Sequence, residues 1–138
     1  MSFTPKILID NNVSVRLVKG AYKESEDIAR QDQFSIGSNF FHYAATLYSN
    51  KSKNPAIATH DEELIEDVQE LIPDPSYFDY EMLYGIRRDL QKSLLNKQYR
   101  VRIYIPFGEQ WLPYTLRRLR EWKNLKFVIK NIFYEIFR

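Results

Sequence analysis

The chain has 138 residues, a length typical of one domain that can bury a hydrophobic core, and we predict a single domain over residues 1–138. Its 20 basic and 18 acidic residues leave a formal net charge of +2, which favours neither a nucleic-acid partner nor an acidic substrate. It has no cysteine and no apolar run of about 18 residues, which excludes disulfides and thiolate metal sites and favours an intracellular, cytoplasmic protein.

Short β-branched runs alternate with amphipathic stretches along the chain. The segment 7–10 is predicted to be the end of a helix that precedes the first strand. We predict strands at about 14–19, 55–59, 77–80 and 99–105, with helices in between. Four βα units in about 120 residues indicate a parallel sheet with right-handed crossovers.

The predicted helices follow the apolar spacing. The first, around 38–48, has these residues on one side: Phe40, Phe41, Ala44, Ala45 and Tyr48. Asp61 is predicted to cap the second helix, whose apolar stripe consists of Leu64, Ile65, Val68 and Leu71. Gly85 opens a third helix over 86–95. Two more are predicted at 112–121 and, strongly amphipathic, at 124–137.

Chemistry-bearing residues follow the ends of these strands, where α/β proteins place their sites. The segments are 16–22 (RLVKGAY), 58–61 (ATHD), 78–85 (FDYEMLYG), 102–106 (RIYIP) and 116–119 (LRRL). In this order, over residues 12–132, they resemble the C-terminal half of proline dehydrogenase, the FAD-dependent enzyme that oxidises L-proline to Δ1-pyrroline-5-carboxylate and passes the electrons to quinone. The resemblance implies an oxidoreductase of proline catabolism.

The fold implied by the resemblance is half of a (β/α)8 barrel, with four parallel βα units and a C-terminal amphipathic helix. A whole barrel needs about 250 residues, so we expect half an active site and little or no activity of the chain alone. We also expect an apolar inner face, since strands of parallel sheets are apolar on both faces. The first and last strands are edges, to be covered by a second copy, a separately encoded N-terminal half or a local rearrangement.

The resemblance also implies site residues. The catalytic residues are Arg16, Tyr22 and Tyr104. The substrate-binding residues are Leu83, Arg117, Arg118 and Glu121. The cofactor-binding residues are Arg16, Lys19, Gly20, Ala21, Thr59 and His60. A positive group near the flavin ring stabilises its reduced form, and paired guanidinium groups suit a carboxylate such as that of proline. No metal is predicted, since two histidines are too few for a histidine-rich site.

Two residues depart from the family pattern, which has Glu and Gln where this chain has Asp79 and Glu81. A charge at a position facing the barrel interior costs several kcal/mol unless it is paired.

Each site residue also has a non-functional interpretation, such as a solvated cationic strand end for Arg16 or a solvated helix face for Arg117. The rival function is therefore a non-catalytic remnant or interaction protein that keeps the half-barrel without flavin. Packing of segment 124–137 is favoured over a peripheral membrane contact, which remains the alternative.

Overall fold

The structure, a computed structural model, describes residues 6–19 and 32–109. In chain order the elements are α1 (Lys6–Asp10), β1 (Arg16–Val18), α2 (Gln33–Ser49), β2 (Ala56–Ala58), α3 (Glu62–Leu71), β3 (Asp79–Leu83), α4 (Arg88–Asn96) and β4 (Arg100–Tyr104). The helices predicted at 112–121 and 124–137 lie outside the described residues.

The four strands form one parallel sheet whose spatial order is the order of the sequence, β1-β2-β3-β4. The prediction of an α/β fold with parallel βα units is confirmed. Residues that pair across the strands form three complete rows: Arg16–Ala56–Asp79–Arg100, Leu17–Ile57–Tyr80–Val101 and Val18–Ala58–Glu81–Arg102. Because side chains alternate along a strand, the middle row lies on one face and the outer two rows on the other.

The middle row and Met82 belong to the hydrophobic core. Ile57 is fully buried, and Tyr80 and Met82 are nearly so. The helices contribute the buried residues Phe40, Ala44 and Leu47 from α2, Leu64, Ile65 and Val68 from α3, and Leu90 and Leu94 from α4. The core therefore lies between this face and the helices, and it fixes which side of each strand is left for a site.

The other side of the sheet, which we call the open face, consists of Arg16, Val18, Ala56, Ala58, Asp79, Glu81, Leu83, Arg100, Arg102 and Tyr104. Half of these side chains are charged, so the prediction of an apolar inner face is wrong for the described strands. The charges are tolerated because the acids are paired: Asp79 with Arg100 and Arg102, and Glu81 with Arg16 and Arg102.

Helix α2 differs from its prediction in its start and in its buried side. It begins at Gln33 because the side chain of Asp32 accepts a hydrogen bond from the backbone N–H of Ser35 at 2.7 Å. The expected side included Phe41 and Tyr48, which are exposed instead. Leu47, which the prediction omitted, is fully buried.

Helix α3 agrees closely with the sequence. Asp61 is its N-cap, Glu62 and Glu63 lie in its first turn, and the predicted stripe faces the core. In contrast, β3 begins at Asp79 and continues to Leu83, whereas the prediction placed it at 77–80. Tyr77 and Phe78 pack edge to face before the strand, with ring centroids 4.9 Å apart, and contribute aromatic packing in place of strand pairing.

The turn between β3 and α4 explains why the third predicted helix starts late. Gly85 has φ +76°, and Arg87, the N-cap residue of α4, also has a left-handed backbone with φ +51°. The helix therefore starts at Arg88 rather than at residue 86. The Arg87 side chain forms ion pairs with Glu62 and Asp89, which hold this unusual conformation.

No helix among the described residues is long and apolar enough to cross a membrane.

Candidate functional site

The carboxyl ends of the four strands lie side by side, because adjacent strands are parallel and in register. Five of the predicted site residues lie at these ends: Lys19, Thr59, His60, Leu83 and Tyr104. This is the edge at which α/β proteins bind their ligands. A sixth predicted site residue within the described ranges, Arg16, lies on the open face at the start of β1. The predicted residues Gly20, Ala21, Tyr22, Arg117, Arg118 and Glu121 lie outside the described residues.

The ends of β1 and β2 are joined by a lysine–aspartate pair. The Nζ atom of Lys19 pairs with Oδ2 of Asp61, and both side chains are partly buried. Thr59, which is buried, accepts a hydrogen bond at Oγ1 from the backbone N–H of Asp61 at 3.1 Å. Since Asp61 also caps α3, the lysine charge is held at the start of that helix.

His60 joins β2 to β3. Its Nε2 accepts a hydrogen bond from the backbone N–H of Leu83 at 2.9 Å. Burial, reinforced by the positive charge of Arg87, lowers the pKa of His60 from 6.5 to about 3. The imidazole is therefore neutral at ordinary pH, and because Nε2 is an acceptor, its proton is on Nδ1.

The ends of β3 and β4 are held by backbone and amide contacts. The backbone N–H of Tyr84 donates to the carbonyl oxygen of Tyr104 at 2.9 Å. Gln91 on α4 donates from Nε2 to the carbonyl oxygens of Leu83 at 3.1 Å and Ile86 at 2.8 Å. The Leu83 side chain is partly exposed and the Tyr104 ring is exposed, so both present apolar surface at this edge.

A chain of ion pairs crosses the open face in the order Arg16, Glu81, Arg102, Asp79, Arg100. The two carboxylates are 8% and 14% exposed, whereas the three guanidinium-bearing side chains are about half exposed. The acids are thus covered by the arginines, and the outer surface is cationic. The Glu81 carboxylate is nearly buried, and its ion pairs with two arginines offset the cost of burying its charge.

Sequence reasoning missed Arg100 and Arg102 as members of this group. A signal was available: Asp79 with Glu81, and Arg100 with Arg102, are two residues apart in neighbouring strands, a spacing that places each pair on one face. It did not indicate that Arg16, from a strand not adjacent to β3, completes the group. Arg16 and Lys19 contact different carboxylates, Glu81 and Asp61.

Within residues 6–19 and 32–109, no group of three or more His, Cys, Asp or Glu side chains is arranged to hold a metal ion.

The fold and the site define an α/β protein whose polar residues meet at the carboxyl edge of a parallel sheet. The family model for proline dehydrogenase matches residues 9–130. The chain therefore belongs to the proline dehydrogenase family, which is a family of oxidoreductases.

Curated relatives support the same assignment. The chain is 39% identical over 135 residues to the proline dehydrogenase of Deinococcus radiodurans, covering 91% of this chain and 42% of that protein. It is 38% identical over 128 residues to proline dehydrogenase 1 of Bacillus subtilis, covering 89% of this chain and 42% of that protein. Proline dehydrogenase 2 of Bacillus subtilis is 37% identical over 126 residues, with coverage of 88% and 41%. The chain thus spans well under half the length of these relatives.

Proposed function

We propose that this chain contributes the carboxyl-edge part of an FAD-dependent proline dehydrogenase site, in which L-proline is oxidised to Δ1-pyrroline-5-carboxylate and quinone is the electron acceptor. The observation that carries the proposal is the alignment of five expected site residues at the ends of four adjacent strands. Family membership supports proline as the substrate.

The described residues fit a flavin in their donor chemistry. Arg16 offers a half-exposed guanidinium, Lys19 an ammonium group and His60 a neutral ring with its proton on Nδ1. When bound, the flavin supplies the acceptor for the hydride that proline loses. In this proposal, Arg16 stabilises negative charge on the cofactor, while Lys19, Thr59, His60 and the backbone at Gly20 and Ala21 hold it.

The substrate side of the proposal depends partly on residues outside the described ranges. Leu83 and Tyr104, with Tyr22, present apolar surface to the proline ring and exclude water from the carbon that loses hydride. Arg117 and Arg118 bind the proline carboxylate through their planar donor forks, and Glu121 orients one of them. In this proposal the substrate thus meets apolar side chains at its ring and guanidinium groups at its carboxylate.

Two finer parts of the proposal concern where the assembled protein works. We propose a cytoplasmic protein whose basic, amphipathic segment 124–137 either packs on this chain or a partner, or contacts an anionic membrane surface from which quinone is reached. Its partner is a second copy of the chain or a separate N-terminal half.

The test is the purified 138-residue chain, titrated with FAD and followed by absorbance near 450 nm (an approximate property of bound flavin) and by flavin fluorescence. We expect flavin binding that is weakened in R16Q and unaffected in R88Q, which removes an arginine on α4. We expect little or no proline:quinone turnover, because residues that act as a unit fail together when several are missing.

Each alternative has its own result. Absence of flavin binding by the wild-type chain would favour the non-catalytic remnant or interaction protein. Robust turnover by the chain alone would contradict the expectation of an incomplete site and would indicate that two copies complete it.

A further inference from the structure

We propose that Glu81 is a positioning residue for Arg16, and that the small side chains of β2 provide the path along which Arg16 reaches it. The proposal rests on the proposed function only for the use of Arg16 beside the flavin. The contact itself, and the residues that permit it, are features of this chain.

The contact spans an intervening strand. Arg16 lies on β1 and Glu81 on β3, with β2 between them. Neighbouring strands are about 4.8 Å apart, so the two side chains must together cross about 10 Å of sheet. Both are long, and both have to lean over β2 to meet. The Arg16 side chain therefore lies across the sheet instead of extending away from it.

Strand β2 is suited to this crossing because its two residues on the open face are alanines. Ala56 is in register with Arg16, and Ala58 is in register with Glu81. Ala56 is only 4% exposed although it faces away from the helices, as expected if the Arg16 side chain covers it. A larger side chain at either position would occupy the space through which Arg16 passes.

Two contacts fix the plane of the Arg16 guanidinium. Its Nε pairs with Oε2 of Glu81, and its Nη2 donates to Oε1 at 3.2 Å. A bidentate pair of this kind determines orientation as well as distance. Nη1 takes no part in either contact, so it lies on the side of the group turned away from Glu81. This is the edge of the guanidinium that the pairing leaves for a ligand.

Glu81 is itself anchored from the opposite side. Nη1 of Arg102 donates to its Oε1 at 2.7 Å, and Arg102 is also paired with Asp79. Glu81 is 8% exposed, so its carboxylate has little freedom to follow Arg16 outward. Both of its oxygens contact guanidinium nitrogens, Oε1 as a hydrogen-bond acceptor and Oε2 in the ion pair with Nε of Arg16. A glutamine side chain would offer one acceptor and turn a donor toward a guanidinium group. The charged residue is therefore needed for bidentate positioning.

The test is NMR spectroscopy of the arginine side chains in the 138-residue chain, which needs no flavin. The Nε–H signal of Arg16 is assigned by its loss in R16K. In the wild type we expect slow exchange of this hydrogen with water. In E81Q it should exchange about tenfold faster or more, because a charge-assisted pair is lost. The control E66Q makes the same change on the exposed side of α3 and should leave the signal unchanged.

A second variant tests the path while Glu81 is kept. A58L should also speed the exchange of the Arg16 Nε–H, since its side chain blocks the crossing. V18L adds apolar bulk on the same face of the neighbouring strand and is its control. Folding of each variant is checked by backbone amide spectra. If E81Q does not fold, the Arg16 exchange in A58L tests the proposal. Unchanged Arg16 exchange in a folded E81Q or A58L overturns the proposal.

The FAD titration separates this proposal from the one on which it rests. If the wild-type chain binds FAD, E81Q and A58L should weaken binding in the same direction as R16Q, while E66Q should not. If R16Q weakens binding and the other two variants do not, Glu81 is not the positioning residue and the proposed function stands. If the wild-type chain binds no FAD, the proposed function fails and the NMR result alone decides the role of Glu81.

Discussion

The imidazole of His60 connects two parts of the candidate site, because its Nε2 accepts the backbone N–H of Leu83 at 2.9 Å. His60 is expected to lie at the cofactor and Leu83 at the substrate. One neutral ring therefore links the chain after β2 to the end of β3, beyond the last paired residues Ala58 and Glu81. Any change in its protonation has to break this hydrogen bond, since a protonated imidazole has no acceptor.

The first prediction is that stability falls with pH below neutrality because of His60. The pKa of His60 is about 3 when folded, against 6.5 as its ordinary value. Between these values the unfolded chain binds more protons, so the free energy of unfolding decreases as pH falls from about 6.5 to 3, by up to about 1.4 kcal/mol per pH unit. Above about pH 6.5 the full contribution of neutral His60 to the free energy of unfolding is present. Urea unfolding at a series of pH values measures it.

The matched variants for this prediction are H60Q and H42Q. H60Q keeps an acceptor for Leu83 but has no titrating group, so its stability should depend less on pH than that of the wild type. H42Q removes the exposed histidine on α2 and should keep the wild-type pH dependence. Parallel pH profiles for H60Q and the wild type would contradict the prediction.

The second prediction concerns two glycines whose replacement by alanine should have opposite effects. Gly85 has φ +76° and no neighbouring atom within 4 Å of an added Cβ, so G85A should destabilise by about 1 to 2 kcal/mol through backbone strain alone. Gly37 lies in α2, where an added Cβ would contact Leu64 at an ordinary 3.6 Å. G37A should therefore stabilise by about 0.5 to 1 kcal/mol. Thermal and urea unfolding measure the change in the free energy of unfolding for each variant. Changes of the same sign in G85A and G37A would contradict the prediction.

The third prediction compares the two faces of the sheet. Ile57 is fully buried between the sheet and the helices, so I57A should cost about 2 to 5 kcal/mol. Val18, on the neighbouring strand but on the open face, is exposed, and V18A should cost less than about 1 kcal/mol. A similar cost for the two variants in urea unfolding would mean that the open face is covered in the folded protein.

The fourth prediction concerns the paired arginines expected to bind the proline carboxylate. In any proline-binding assembly that contains this chain, R117M and R118M should each weaken proline binding by roughly 2 to 5 kcal/mol if the pair is desolvated. R120M, the same change in the same segment, is the control. Calorimetric titration with proline measures the effect, and an unchanged affinity would leave these residues as a solvated helix face.

The fifth prediction is that the chain associates with itself or with a partner. Strands β1 and β4 are the two edges of the sheet, and unpaired strand edges recruit further strands. Light scattering at micromolar concentration should show a species larger than the monomer, most simply a two-fold dimer. A single monomeric species would count against it for the chain alone.

Local signals were sufficient for several elements. Asp61 followed by two glutamates and the stripe from Leu64 predicted α3 correctly, since capping and helical spacing are properties of neighbouring residues. The strand predicted at 99–105 likewise agrees with β4. Helix α2 was placed correctly in its middle, but its start depends on the cap at Asp32 and its buried side on how it packs against α3.

Non-local contacts explain what the sequence could not provide. The start of α4 depends on Arg87, whose left-handed backbone is held by an acid on α3 as well as one on α4. The pairing of the open face depends on which arginines reach Asp79 and Glu81, and one of them, Arg16, is 65 positions from Glu81 in the chain. The tautomer of His60 follows from a backbone N–H on another strand. Such pairings are set by strand order and register.

The agreement of strand order with sequence order has a consequence for how the sheet assembles and opens. Paired residues of β2, β3 and β4 are only about 20 residues apart in the chain, whereas β1 and β2 are about 40 apart, so closing the first pair costs the most chain entropy. Strand β1 is also a three-residue edge strand. It should therefore join the sheet last and detach first. Of the site residues, Arg16 should then lie where the backbone amides exchange earliest. Its ion pair with Glu81 opposes the detachment of β1 from the sheet.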